Sequence, residues 1–520
     1  MSKLARTLHP SLTETQYFLG FFLLAVFLWF ISLGDLPLRD WDEGTRGLIA
    51  REIYRSGDWL YPKLQGKPYL LKPPLMDWLI ALSYKLWGVG EFTTRLPGAF
   101  SSACGVPLLY FVGRELFRQR LPAVLAASVY LTLLPVVRHG RLAMLDGMVV
   151  TFFLLLIGCL LKTRQDRRWA VGIGISLGLI AFTKGILVLL LGAIAFLFLL
   201  ADNQLVLLRS RYFWIGILFG TTPVIAWYIA QWQHYGATFW EVHIQAQGLA
   251  RVSESVEGNS GSPGYYVWEL LKYSLPWLFF WFGGLVLAWK NRRKSWGSLV
   301  LIGTVGYLGS ISLMGTKLPW YIMPLYPFFA LAVGAQLAQF WKNNKNYPQI
   351  LVWIFCVISI AALAGCVYFV LSNPQPVLIS MALVVSLTMG LVAWHIQQHK
   401  RIFIPIILVG MYLTLVLFMT SKSWIWELNE AFPVKPVAAL IREQTPPDTA
   451  VYTSFEYRRP SLDFYSDRQV IPAKKSTLRK FRSKAYLLLD QPNLEALKLP
   501  KRRIVGTAGS FILVAPKSTQ

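Results

Sequence analysis

The sequence predicts a polytopic α-helical membrane protein with interfacial helices and a small external C-terminal α/β domain. Three observations carry that expectation. The 520 residues are 55% hydrophobic and only 15% charged, well below the roughly 25% charged residues of soluble domains. Apolar runs of about 18 residues recur down to residue 420, each a candidate spanning helix. The last hundred residues change texture, to short apolar runs broken by Pro and polar clusters, as strands and turns require. Together these exclude an ordinary soluble enzyme, a disordered chain and a disulfide-rich scaffold.

In order, the spans fall near 17–34, 95–113, 121–138, 146–161, 169–184, 186–201, 212–231, 275–289, 297–314, 319–340, 348–371, 376–396 and 402–420, about 13 in all. With a cytoplasmic N-terminus, one set of alternate breaks collects Arg114/Arg118/Arg120, Lys162/Arg164/Arg167/Arg168, Arg209/Arg211, Lys290/Arg292/Arg293/Lys294, Lys342/Lys345 and Lys400/Arg401. Cytoplasmic loops gather Lys and Arg in this way. The formal net charge of +25 is thereby explained without nucleic acid, which is not expected as a partner. An odd number of spans places the tail outside. The expected domains are 1–420, a transmembrane domain with long external loops at 35–94 and 232–274, and 421–520, an external domain. The tail is itself basic, but long translocated domains escape the charge rule. Cys104, Cys159, Cys356 and Cys366 lie in apolar stretches without metal or redox spacing, and read as buried apolar side chains.

The first external loop concentrates chemistry. Between Asp35 and Arg95 lie 8 of the 26 acidic residues, and such charge at a bilayer edge calls for a polar cavity or interfacial helices. After Arg39-Asp40-Trp41-Asp42-Glu43 a helix is expected to Ser56, and Lys72-Pro73-Pro74-Leu75 opens a second. Asp40 reads as an N-cap or a partner of Arg39. Asp42 reads either as a reactive carboxylate or as an ion pair with Arg46, one helical turn on. Lys72 either snorkels to headgroups or meets an anionic ligand. Further polar islands share that side: His139-Gly140-Arg141 with Asp146, Lys184-Gly185, His234 and His243, and Lys317-Leu318-Pro319-Trp320-Tyr321. Ionisable residues interrupting apolar hairpins mark function by default. No nucleotide-binding loop, metal cluster or nucleophile elbow is present in the sequence. Chemistry on that side therefore requires an activated substrate already there, and a lipid-linked donor meets the condition.

These segments are similar, in order across about residues 35–330, to one family. They are Arg39–Glu43, Ser56-Gly57-Asp58-Trp59, Lys72–Leu75 with Trp78, Phe92 with Arg95-Leu96-Pro97, Arg141 with Asp146, Lys184-Gly185, and Lys317-Leu318-Pro319 with Tyr321, Pro324 and Pro327. The family is the integral-membrane glycosyltransferases related to protein O-mannosyltransferases and the lipid A aminoarabinose transferase. The resemblance implies a GT-C fold, two interfacial helices in the first external loop, and inverting transfer from a polyprenyl-phosphate-linked sugar. It implies Asp42 as general base and Asp146 as the second acidic motif. It also implies Lys72 and Tyr321 at the donor phosphate, with Lys317 in the same late motif. Arg46, Lys184 and His243 complete the candidate donor- and substrate-binding residues. Many relatives carry an acid where this chain has Leu71, so no metal or other cofactor is expected to be required.

The expected reaction is transfer to a hydroxyl or phosphate of a glycolipid, polysaccharide or protein on the external face of a bacterial inner membrane, by a monomer. The alternative is a flippase for lipid-linked sugars, which needs no base at Asp42.

Overall fold

The computed structural model describes residues 12–343, 347–372, 374–425, 432–481, 483–498 and 503–517. Lys345 of the basic loops lies outside them. In chain order, helices α1 to α10 cover Glu14–Phe30, Asp42–Ser56, Leu75–Trp87, Glu91–Phe117, Arg120–Leu131, Leu134–Arg141, Leu145–Lys162, Ala170–Lys184, Leu187–Ala201 and Arg211–Tyr235. The chain forms two compact units: Met1–Ser32 with Leu70–Pro74 and Gly98–Trp424, and Leu33–Tyr69 with Leu75–Pro97 and Ile425–Gln520. Most of the first external loop thus groups with the tail, a partition that the expected break at residue 420 did not anticipate.

The first unit holds the long apolar helices. A helix stands at each of the thirteen expected spans. Among the described residues, however, eight are long and apolar enough to cross a membrane, or nine if the bent pair α5–α6 is one span. The others, such as α9 with 15 residues and Leu278–Lys290 with 13, reach only about 20–23 Å, short of a hydrocarbon core of roughly 30 Å. The stretch 121–138 is not straight: α5 and α6 meet at 57°. Pro135 lies in the first turn of α6, where its missing N–H cannot continue the previous helix.

Close helix packing sets the site's frame. Gly174 and Gly178 of α8 meet Gly216 and Gly220 of α10 so tightly that a Cβ on any of the four would overlap backbone of the other helix. In lipid, where no hydrophobic force draws helices together, such backbone approach supplies the dispersion contact that does. At the end of α1, Arg141 donates to Leu28 O at 2.9 Å and Ile31 O at 2.5 Å, and its guanidinium lies 4.6 Å from the Trp424 ring centre. Arg141 of the expected motif therefore caps a helix C-terminus.

The second unit contains α2, a short hairpin (β1 Lys63–Leu64, β2 Lys67–Pro68), α3, the first turns of α4 and a five-stranded sheet. The sheet order is β4-β3-β5-β7-β6, with β3 (Val451–Thr453), β4 (Val470–Pro472), β5 (Tyr486–Asp490), β6 (Ile504–Ala508) and β7 (Phe511–Val514). β3 runs parallel to β4 and β5, while β7 is antiparallel to β5 and β6. Alternation on β5 separates two cores: Leu488 joins Val437, Ile441 and Leu462, and Leu487 and Leu489 join Leu478 and Val514, as side chains two residues apart share a face.

Candidate functional site

In the second unit the acids of the first loop have distinct fates. Trp41 takes a left-handed φ of 67° immediately before α2, so Asp42 and Glu43 occupy the first helical turn, where unpaired N–H groups favour negative charge. Glu43 is fully buried. Arg95 Nε and Nη2 each donate to it at 2.8 Å, and the Arg39 N–H donates at 2.9 Å. Arg95 is in turn fixed by Leu33, Leu36 and Pro37 carbonyls.

Asp40 does not cap α2 or pair with Arg39. It accepts from Arg459 Nη1 at 2.6 Å, from the Ser461 N–H at 3.2 Å and from the Ser461 hydroxyl. Gly44 explains the closeness: a Cβ there would stand 2.5 Å from Ser461 N. Nor does Arg46 pair with Asp42. It donates to both oxygens of Asp77, at 3.0 and 2.7 Å, and to the Tyr69 hydroxyl. Burial opposes the Arg46 charge, but Asp77 more than offsets this and holds the guanidinium protonated. Arg46 is thus a neutralised structural pair, and Asp77, fully buried in α3, was its unrecognised partner. Asp42 is different. Its side chain is 37% exposed, and Arg39 Nη2 stands 3.4 Å away.

In the first unit, some of the residues expected at the donor are linked by close contacts. His243 lies in a π-helical stretch, Trp240–Leu249. Its Nδ1–H donates to Leu70 O at 2.8 Å, leaving Nε2 to accept from the Tyr228 hydroxyl at 2.8 Å. Phe239 stacks on its ring at 5.0 Å. His243 thereby anchors the segment that carries Lys72. Gly185, with φ 55°, closes α8; a Cβ there would contact Tyr228 Oη, His243 Nε2 and Pro73 Cγ at 3.4–3.9 Å. Lys184 pairs with Asp146 at 2.5 Å and lies 4.9 Å from the Tyr321 ring centre. The Tyr321 hydroxyl accepts from Arg251 Nη1 at 3.1 Å, and its carbonyl accepts from the Tyr307 hydroxyl at 2.7 Å. Arg251 was missed, although it is the sole arginine of the 232–274 loop. Its backbone is tied to the late motif by Thr316 N–H to Arg251 O and Gly315 N–H to Val252 O.

Lys317 takes another role. Its ammonium donates to Ile311 O, Ser312 O and Met314 O at 3.0, 2.7 and 2.6 Å, which uses its three protons to cap a helix end. A metal does not fit beside His243: both ring nitrogens are engaged and the Leu71 side chain offers no oxygen. Among the described residues, no group of three or more His, Cys, Asp or Glu could hold one.

Burial, then the nearby Lys72 charge, depresses His243 to about 4, against the Leu70 hydrogen bond. The fold therefore favours neutral imidazole, and this stabilisation is complete above about 6.5 and lost as pH falls toward 4. The melting temperature of the wild type should drop across that window, and His243→Gln should flatten the slope. Parallel slopes in a micelle melting series would remove His243 from this role.

Comparison with known proteins agrees with this architecture. Residues 71–229 match the family described as dolichyl-phosphate-mannose-protein mannosyltransferase. The undecaprenyl phosphate-alpha-4-amino-4-deoxy-L-arabinose arabinosyl transferase of Aeromonas hydrophila is 27% identical over 376 residues, 68% of this chain and 66% of that protein. The enzyme of the same name from Pectobacterium carotovorum is 30% identical over 327 residues, 61% of this chain and 58% of that one. The alignments thus cover less than two thirds of those relatives' length. The crystal structure of ArnT from Cupriavidus metallidurans bound to undecaprenyl phosphate superposes with a TM-score of 0.80 at 19% identity, over 97% of this chain and 98% of that one. The chain has the GT-C fold of membrane glycosyltransferases. Its multi-pass membrane architecture follows from that fold and from its apolar helices.

Proposed function

We propose that the protein is an inverting glycosyltransferase that moves a sugar from a polyprenyl-phosphate carrier to an acceptor hydroxyl or phosphate. The observation that carries the reading is a chain of contacts: Lys184 pairs with Asp146 and lies over the Tyr321 ring, whose hydroxyl accepts from Arg251, with Lys72 on the segment held by His243. Positive charge and a hydroxyl donor in a partly dry site suit a phosphate leaving group, whose negative charge grows as its bond to the anomeric carbon breaks. Asp42 takes the acceptor proton as the new bond forms, and its partial exposure leaves it accessible for that task. Asp146 holds Lys184 in place. Lys317 caps a helix end in the first unit, and Arg46 ties α2 to α3 in the second.

The relatives' names specify undecaprenyl phosphate and an aminoarabinose sugar; here the carrier class is proposed and both sugar and acceptor stay general. The basic breaks support a cytoplasmic N-terminus and an external C-terminal domain in a bacterial inner membrane. In a deletion strain, mass spectrometry of polyprenyl-phosphate lipids should show a sugar-bearing carrier that accumulates and is consumed when wild type is expressed. Identical lipid pools with folded protein present would overturn the reading.

A further inference from the structure

A second cavity lies at the other end of the helices that carry the donor cluster. Asp146 lies in the first turn of α7 and Lys162 ends it, and the 18 residues of that helix span about 27 Å. Tyr321 and Lys342 stand likewise at opposite ends of Pro319–Lys342. At the far end, four chain segments enclose a concavity of about 680 Å³: the α4–α5 turn, the turn after α7 at Arg164, the loop before Ser295, and the end of Pro319–Lys342.

Its charge is one-sided. Arg118, Arg164, Arg293, Lys294 and Lys342 line it, and Glu115 is its single acid. Lys162 takes up Glu115 at 2.8 Å, and Asp202 takes up Arg164 through Nε at 3.0 Å. Arg118, Arg293, Lys294 and Lys342 remain in surplus, all exposed. The cavity beside it, of about 730 Å³, is more nearly balanced, because it has two lining acids, Glu14, which engages Arg114, and Glu115, which engages Lys162. The floor of the basic cavity is apolar and aromatic: Phe117 and Trp296 pack with ring centres 5.3 Å apart, beside Leu287 and Ala338. Cations over an aromatic floor at the end of spanning helices match a phosphate headgroup above acyl chains.

We propose that this cavity binds the headgroup of an anionic phospholipid, at a site separate from the sugar-transfer chemistry. Arg118, Arg293 and Lys294 contact the phosphate, and the Phe117–Trp296 floor receives the upper acyl chain. The inference stands on the cavity and its charge and does not depend on the proposed transferase activity.

The test titrates short-chain phosphatidylglycerol into the full chain in zwitterionic micelles and follows the melting temperature. Wild type should gain saturable protection that short-chain phosphatidylcholine does not give. Combining Arg118→Gln, Arg293→Gln and Lys294→Gln should raise the midpoint concentration about 100-fold, at roughly fivefold per charge. A control with the same charge change on the exposed Lys475–Phe481 helix, Lys475→Gln, Arg479→Gln and Lys480→Gln, should titrate like wild type. An unchanged midpoint in the cavity variant, or equal loss in the control, would overturn the site. Equal protection by inorganic phosphate alone would overturn the lipid as its occupant.

Discussion

Asp42→Asn should abolish detectable sugar transfer while leaving the melting temperature within about 1 °C of wild type. A positioned general base contributes roughly 100- to 10,000-fold, and the isosteric amide keeps the shape while it removes the proton acceptor. The stability half of the prediction follows from exposure: a 37% exposed carboxylate with a 3.4 Å contact to Arg39 contributes little to folding, as surface ion pairs do. Transfer and melting should be measured on the same purified sample. Retained turnover would remove Asp42 from the chemistry. A large fall in melting temperature would make it structural.

Its neighbour should behave in the opposite way. Glu43→Gln leaves Arg95 fully buried beside a neutral amide, with both side chains at 0% exposure. Breaking one partner out of a buried ion pair costs about 3–5 kcal/mol, so this variant should melt far below wild type or fail to accumulate. If Glu43→Gln folds normally and only activity falls, the assignment of roles to the two adjacent acids is reversed. Since the two residues differ by one position on one helical turn, the pair of variants separates reactivity from support with the backbone held constant.

Much of this was readable in the sequence. Hydropathy placed the helices, because burial in lipid demands long apolar runs. Helices α8, α9 and Leu278–Lys290 are apolar but short, with 15, 15 and 13 residues. Lys184 does meet Asp146 and Tyr321, and the Gly after Lys184 signalled a helix end. Local spacing failed where partners are distant in the chain. Asp42 and Arg46 lie four apart on one helix, yet Arg46 pairs with Asp77, 31 residues away. Asp40 finds Arg459 across 419 residues. No periodicity encodes those meetings; they arise from how α2 packs within its unit. Lys317 misled for a related reason: a lysine beside a motif reads as a ligand-binder until its three protons are seen to be spent on backbone carbonyls.

The four glycines that join α8 to α10 bear on how the donor cluster responds to the bilayer. A contact made of backbone has no side-chain rotamers to loosen, so Lys184 at the end of α8 and Tyr228 on α10 keep their spacing as long as both helices exist. When the bilayer thins or thickens, hydrophobic mismatch is relieved by tilting helices, and this pair can tilt only as one rod. A change of lipid thickness then tilts α8 and α10 together and leaves the spacing of Lys184 and Tyr228 unchanged.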